Sequence, residues 1–302
     1  MKVSLIIPCF NEEGNVFPLY EAVERSFRGT VSDYEFIFVN DGSRDGTPDR
    51  LRELVGTAKQ PVKVLNFSRN YGKEAAILAG LAEGSGDCFT IMDGDLQQSP
   101  DVVVEMVRYL EENPDCDCVA AFQENRNESP VMVFFKDNFY RVINSMTDTE
   151  FVNGASDFRT FRRNVRDAVL SLPETSRFSK GIFSWVGFET HYIPYTAEER
   201  HSGTTKWSFS KLWKYAISGI ISFTTTPLRL PLLFSGVTGT AAVLTALFDK
   251  KSKDKTVPAI LGTGSLLLLA LGVLGEYIAR VFQETKHRPV YLIKEVLDNR
   301  EP

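Results

Sequence analysis

Ile91-Met92-Asp93-Gly94-Asp95 ends a short apolar run that begins at Cys88, with Gly86-Asp87 before it and a polar turn after it. Such a run reads as a buried strand of a parallel sheet. Open α/β sheets bind ligands at the carboxyl ends of their strands. Two aspartates one residue apart at a glycine can face a hydrated divalent cation that a diphosphate also holds, because Mg²⁺ and Mn²⁺ share carboxylate and phosphate oxygens. An isolated Asp-Gly-Asp is more often a solvated turn. Its position after a strand, and the pattern around it, favour the metal reading.

Working outward, the same arrangement repeats. Val3-Ser4-Leu5-Ile6-Ile7-Pro8 is a strand, after which Asn11-Glu12-Glu13 is expected to open a helix to about residue 27. Residues 34–39 form a second strand ending in Asn40-Asp41-Gly42-Ser43. Residues 62–67 form a third, followed by Ser68-Arg69-Asn70-Tyr71-Gly72-Lys73 and a helix over 74–82. A helix over 100–111 and a strand over 118–122 follow the Asp93–Asp95 turn. Strands alternating with helices predict an open α/β sheet with right-handed crossovers. Asp41 has two readings, a local Asp-Gly turn device or a carboxylate that accepts from a base or ribose hydroxyl. There is no G-x-x-x-x-G-K-[ST] loop and no G-x-G-x-x-G after the first strand, so kinase and dehydrogenase readings lose their main support.

The chain has 302 residues, 43% hydrophobic and 24% charged, enough for one large domain and something smaller. A net charge of -5 argues against general nucleic-acid binding. Cys9, Cys88, Cys116 and Cys118 lack zinc-ribbon spacing, and Met1-Lys2 leads straight into a strand. A reducing, cytosolic setting without a secretory signal is expected for them. Later the character changes. Residues 134–146 pattern as an amphipathic helix, Asp157 and Arg159 could form an ion pair or serve catalysis, and 200–206 place Arg200 and Lys206 around a glycine. That loop suits a phosphate clamp or is an ordinary solvated loop. Trp207, Phe209, Trp213 and Tyr215, interleaved with Lys206, Lys211 and Lys214, compose an interfacial membrane helix. Residues 230–248 and 257–275 each lack a charge and match one hydrocarbon crossing, joined by a lysine-rich turn. Seven cations flank the pair (Lys211, Lys214, Arg229, Arg280, Lys286, Arg288, Lys294) against four lysines in the turn, which places the catalytic part in the cytoplasm.

These residues carry a resemblance. Residues 3–13, Asn40 to Thr47, Ser68 to Ala75 and Asp93-Gly94-Asp95-Leu96-Gln97 resemble glycosyltransferase family 2. Ser156-Asp157-Phe158-Arg159, 180–188, 200–206 and Leu274-Gly275-Glu276-Tyr277-Ile278 resemble its membrane-anchored polyprenyl-phosphate members, the bactoprenol glucosyltransferase and dolichol-phosphate mannose synthase group. The resemblance implies a GT-A fold, Rossmann-like with a mostly parallel sheet, and inverting transfer of one sugar from a nucleotide diphosphate to a lipid phosphate on the cytoplasmic leaflet. UDP-glucose or a UDP-N-acetylhexosamine is the expected donor, with mannosyl or aminoarabinosyl donors the alternatives.

It further implies donor-binding residues Pro8, Asn11, Glu12, Asp41, Lys73, Asp93, Asp95 and Arg126. Among them Pro8, Glu12 and Asp41 would touch the nucleoside, and Asp93 and Asp95 would hold Mg²⁺ or Mn²⁺. Asp157, Arg200 and Lys206 would be catalytic, the cations steadying donor diphosphate and acceptor phosphate and Asp157 lying on the acceptor side. Residues 123–133 lack the arginine density of the family, leaving Arg126 as the candidate there. The expected partition is a catalytic domain over 1–203, an interfacial helix over 204–226, a transmembrane hairpin over 227–279 and a cytoplasmic tail over 280–302. A multi-pass protein of the plasma or inner membrane follows, with a homo-oligomer, a tetramer, implied by resemblance. Cutting the chain at Leu230 is expected to leave a domain that binds nucleotide. A processive polysaccharide synthase would carry Gln-x-x-Arg-Trp and more spans, and neither is present. An inactive nucleotide-sugar-binding protein would have lost Asp95 or the cation loop, and both are intact.

Overall fold

The computed structural model describes residues 1–123, 141, 144, 155–198, 224–228, 231, 234–238, 240 and 256–300. The element order opens with β1 (Val3–Cys9), α1 (Val16–Phe27), β2 (Tyr34–Asn40), α2 (Thr47–Thr57), β3 (Val62–Phe67), α3 (Lys73–Glu83), β4 (Cys88–Ile91), α4 (Pro100–Glu112) and β5 (Cys118–Gln123). It continues through β6 (Ala155–Arg162), α5 (Arg163–Ser171), α6 (Ser179–Trp185), β7 (Thr190–Tyr195), α7 (Thr256–Glu284) and β8 (Ile293–Asp298). One mixed sheet takes all eight strands in the order β7-β5-β6-β4-β1-β2-β3-β8. Strands β1 to β4 pair in parallel, as β5 does with β7, whereas β6 runs antiparallel between β4 and β5 and β8 antiparallel along β3.

The central strands are buried on both faces because helices cover both. Alternate residues divide between two cores. Leu5, Ile7, Phe36, Phe38 and Val64 face α1, α2 and α4, which contribute Leu19, Val23, Leu51, Val103 and Met106. Ile6, Ile37, Val39, Leu65 and Ile91 face α3, α5 and α6, which contribute Ala76, Ala79, Val165 and Ile182. The parallel pairing of β1 with β2 and β4 places their carboxyl ends, and the turns after them, along one edge of the domain.

Three features differ from the sequence expectation. Helix α1 starts at Val16 instead of Asn11, because Asn11, Glu12 and Glu13 spend their amides on the β2–α2 turn. Asn11 sits at φ 55 with its N–H donating to Ser43 Oγ at 2.9 Å, and Glu12 N–H donates to Thr47 Oγ1 at 2.8 Å. Residues 155–162, for which the sequence suggested no strand, are an interior strand. The segment read as a tail supplies β8, which extends the sheet past β3 and is locked by Arg300. That guanidinium reaches the buried Glu35 at 2.5 Å and Asp298 at 2.8 Å.

Helix α7 has 29 residues, about 43 Å at helical rise. Among the described residues it is the one helix long and apolar enough to cross a membrane, over Gly262–Glu284, with a mean hydropathy of 1.7. Leu268, Leu271, Ile278, Val281 and Phe282 are all exposed on it, so it is not a core helix. Most of 230–248, nearly all of 204–226 and the helix expected over 134–146, with Arg126, Arg200 and Lys206, lie outside the described residues. At 234–238 and 240 the chain is helical.

Candidate active site

The turn after β4 is held from both sides. A Cβ on Gly94 would stand 3.2 Å from Cys9 Sγ and 3.4 Å from the Pro8 carbonyl, so the turn lies against the end of β1 and brings Pro8, Glu12 and Asp95 into one neighbourhood. Leu96 takes a left-handed φ of 62, and Gln97 N–H donates to Asp95 Oδ1 at 3.2 Å. The buried Gln98 fixes Asp93 twice: its Oε1 accepts the Asp93 amide at 2.8 Å and its Nε2 donates to Asp93 Oδ2 at 3.2 Å.

Lys73, the first residue of α3, lies between two carboxylates. Its Nζ is 2.6 Å from Asp93 Oδ1 and 3.3 Å from Asp157 Oδ2. Burial pulls the ammonium down, but Asp93 and Asp157 outweigh it and hold Lys73 above its ordinary range. Burial likewise pushes Asp157 up, and Lys73, Lys180 and Arg159 outweigh that, holding its carboxyl below the usual range. Asp157 therefore stays ionised. Its Oδ1 is buried with no hydrogen-bond partner among the described residues, which is uncommon for a buried acceptor. Of the two readings of Asp157 and Arg159, the ion pair between them is not formed: Asp157 bridges to Lys73, while Arg159 lies 4.2 Å over the Phe183 ring and donates to the Ser156 carbonyl at 2.9 Å.

Asp41 is buried, and both its oxygens are engaged. Oδ1 accepts from Tyr71 N–H at 2.6 Å and Oδ2 from Gly72 N–H at 2.9 Å. Burial pushes its carboxyl up in spite of these bonds. Gly42 allows the close approach: it has φ +63, and a Cβ there would stand 2.4 Å from the Arg69 carbonyl carbon. The carboxylate thus clamps the loop leading into Lys73. Replacing Asp41 with Asn would turn one acceptor into a donor facing an amide, which costs about 1–3 kcal/mol. We expect a lower melting temperature, and an unchanged melting temperature would refute the clamp.

Sequence reasoning missed Glu74, Ser179 and Gln98. Glu74 accepts from the Ser179 amide at 2.9 Å and from its hydroxyl, and burial, then Asp157, pushes its carboxyl up. Its place beside Lys73 at a helix start was the available signal. Two carboxylates on one strand end offer the oxygen-only donors that Mg²⁺ or Mn²⁺ prefers. Among the described residues no group of three or more His, Cys, Asp or Glu forms a complete metal site.

The Glycosyl transferase family 2 model matches residues 4–170, more than half of the chain. CsbB of Bacillus subtilis (strain 168) is 39% identical over 97% of this chain and 91% of its own. The prophage bactoprenol glucosyl transferase homolog of Escherichia coli (strain K12) is 34% identical over 98% of this chain and 99% of its own. The glucosyl-3-phosphoglycerate synthase of Mycobacterium tuberculosis, solved with Mg²⁺ and uridine diphosphate, is 17% identical, covers 73% of this chain and 77% of its own, and superposes with a TM-score of 0.50. It shares the fold. An α/β sheet of GT-A type, the aspartate turn at its ligand-binding edge and likeness along nearly the whole chain thus converge: this is a glycosyltransferase, and the chain belongs to family 2.

Proposed function

We propose that this enzyme transfers one sugar from a nucleotide-diphosphate donor to a polyprenyl phosphate at a membrane surface, with inversion at the anomeric carbon. The observation that carries it is the array Asp93–Lys73–Asp157 beside Asp95, on a domain whose own chain continues into an apolar helix exposed along its length. Relatives named for bactoprenol support the acceptor class. Those names favour a glucosyl donor, for which UDP-glucose is the leading choice, with UDP-N-acetylhexosamine next.

In this reading Pro8, Asn11, Glu12 and Asp41 shape the nucleoside side, and Asp93 and Asp95 hold a divalent ion. When bound, that ion neutralises charge on the departing diphosphate. Asp93 is already compensated by Lys73, so Asp95 carries the larger share of the ion. An acceptor phosphate is anionic near neutral pH, so Asp157 positions it through the Lys73 bridge more than it removes a proton. Arg126, Arg200 and Lys206 supply cations for the two phosphate groups, and the catalytic domain lies on the cytoplasmic side with a second crossing over 230–248.

A mass-spectrometric screen of nucleotide sugars with undecaprenyl phosphate and Mg²⁺ tests this directly. A polyprenyl-monophosphate sugar is the expected product with one donor. Turnover of a donor onto a non-phosphate acceptor, with none onto the lipid phosphate, would remove the acceptor assignment.

A further inference from the structure

The last residue of α7 is bonded to the catalytic domain. Glu284 accepts from the Thr175 amide at 3.1 Å on Oε1 and 3.2 Å on Oε2, from the Thr175 hydroxyl at 2.8 Å and from the Ser176 amide at 3.1 Å. One turn earlier Arg280 donates to Ser176 Oγ at 3.3 Å. The bonds to Glu284 are charge-assisted contacts to one carboxylate, stronger than neutral ones. Three residues beyond Ser176 lies Ser179, whose amide and hydroxyl are held by Glu74, the neighbour of Lys73.

A second tie starts just after the helix. Tyr291 stacks on Phe67 at 5.1 Å, Phe67 meets the Tyr71 ring at 5.7 Å, and Ser68 N–H donates to the Leu292 carbonyl at 3.0 Å. Tyr71 belongs to the loop that Asp41 clamps. One tie leads to Glu74 through Ser179, and the other to the loop before Lys73 through Tyr71. A helix serving only as a tether would need a slack connection. This one is fixed at its terminal residue and again seven residues later, so the height of Asp95 and Asp157 relative to the apolar span is set.

We propose that Glu284 is a positioning residue that makes the enzyme selective for acceptors embedded in the bilayer, by fixing the reacting groups at the depth where such a lipid presents its phosphate. The proposal rests on the polyprenyl-phosphate reading. A phosphate held by a buried chain cannot move to meet a displaced site, and misplacement of about 1 Å can cost about 10²-fold in rate. An acceptor free in water follows the site wherever it tilts.

The test compares the parent with Glu284→Ala and Glu284→Gln in lipid nanodiscs, using undecaprenyl phosphate in the bilayer and citronellyl phosphate in water as acceptors. For the alanine variant, kcat with the bilayer acceptor should fall at least tenfold. UDP affinity and transfer to the soluble phosphate should stay within about twofold. The glutamine variant keeps one accepting oxygen and should lie between. Equal loss on both acceptors, or none on the bilayer acceptor, overturns the proposal.

A distance measurement between spin labels at Asp167→Cys on α5 and Leu268→Cys on α7 is independent of transfer, and the four native cysteines are buried. Both positions are exposed. The distribution should be narrow in the parent and broader in Glu284→Ala, and an unchanged width overturns the proposal. A parent that transfers to neither phosphate defeats the acceptor reading, while the label distances still decide whether Glu284 fixes the helix to the domain.

Discussion

Replacing Lys73 with methionine should lower transfer by about 10²–10³-fold, the loss typical of removing one preorganised charge from an active site. Methionine keeps the unbranched stem, and Lys73 lies at a helix start with 37% of its side chain exposed, so the fold should survive. The change leaves Asp93 and Asp157 facing each other without the cation that is 2.6 and 3.3 Å from them. Burial of Asp157 is then opposed only by Lys180 and Arg159, and its carboxyl must rise. Because its folded value is depressed in the parent, the ionised form persists to low pH there. In the variant it protonates earlier as pH falls, so the acid limb of the pH–rate profile should move upward. Transfer within tenfold of the parent and an unmoved acid limb would show that the bridge is only structural.

The second large effect concerns β8. Removing residues 289–302 should destabilise the catalytic domain so far that nucleotide binding is lost at moderate temperature, contrary to the expectation that a chain cut at Leu230 keeps it. The deletion uncovers β3, removes the Asn299 side chain that accepts the Val62 amide at 2.8 Å, and takes Arg300 from Glu35. Glu35 is 1% exposed but Arg300 is 34% exposed, so stripping this partner costs at most the ~3–5 kcal/mol of a fully buried pair. Lys2 at 3.6 Å stays behind, which favours the lower figure for Arg300→Met alone. Acid provides a second reading. Burial pushes Asp298 up, but Arg300 and Lys63 outweigh it and set its carboxyl at about 2. The folded value is depressed, so this contribution is complete above the ordinary carboxylate range and fades as pH falls towards 2. Arg300→Met should flatten that part of the stability curve. Equal urea midpoints for parent and truncated chain would refute the role of β8.

How much of this was legible can be read strand by strand. β1 to β5 announce themselves as apolar runs ending in polar turns, because a strand covered on both faces must be apolar throughout. β6 escaped because its interior is polar: Thr160 pairs with the Thr90 hydroxyl at 2.8 Å, and Arg159 packs on Phe183. Alternation was present in Asp157, Arg159 and Phe161, but only the neighbouring strands reveal that all three face one way. β8 escaped because edge strands carry charge, as Lys294, Glu295 and Asp298 do here. In the site, Asp93, Asp157 and Lys73 were each identifiable, whereas their bridging is a product of tertiary structure that no spacing encodes. Glu74 had no signal of its own beyond its neighbour.

Strand β8 also has a bearing on how the protein is made. Its partner β3 is among the first segments to leave the ribosome, while β8 follows the whole of α7. Domains generally fold from the N-terminus during synthesis, but this sheet lacks its last strand, and Glu35 its arginine, until the apolar helix has been translated. Completion of the catalytic domain is thereby deferred until that helix has been translated.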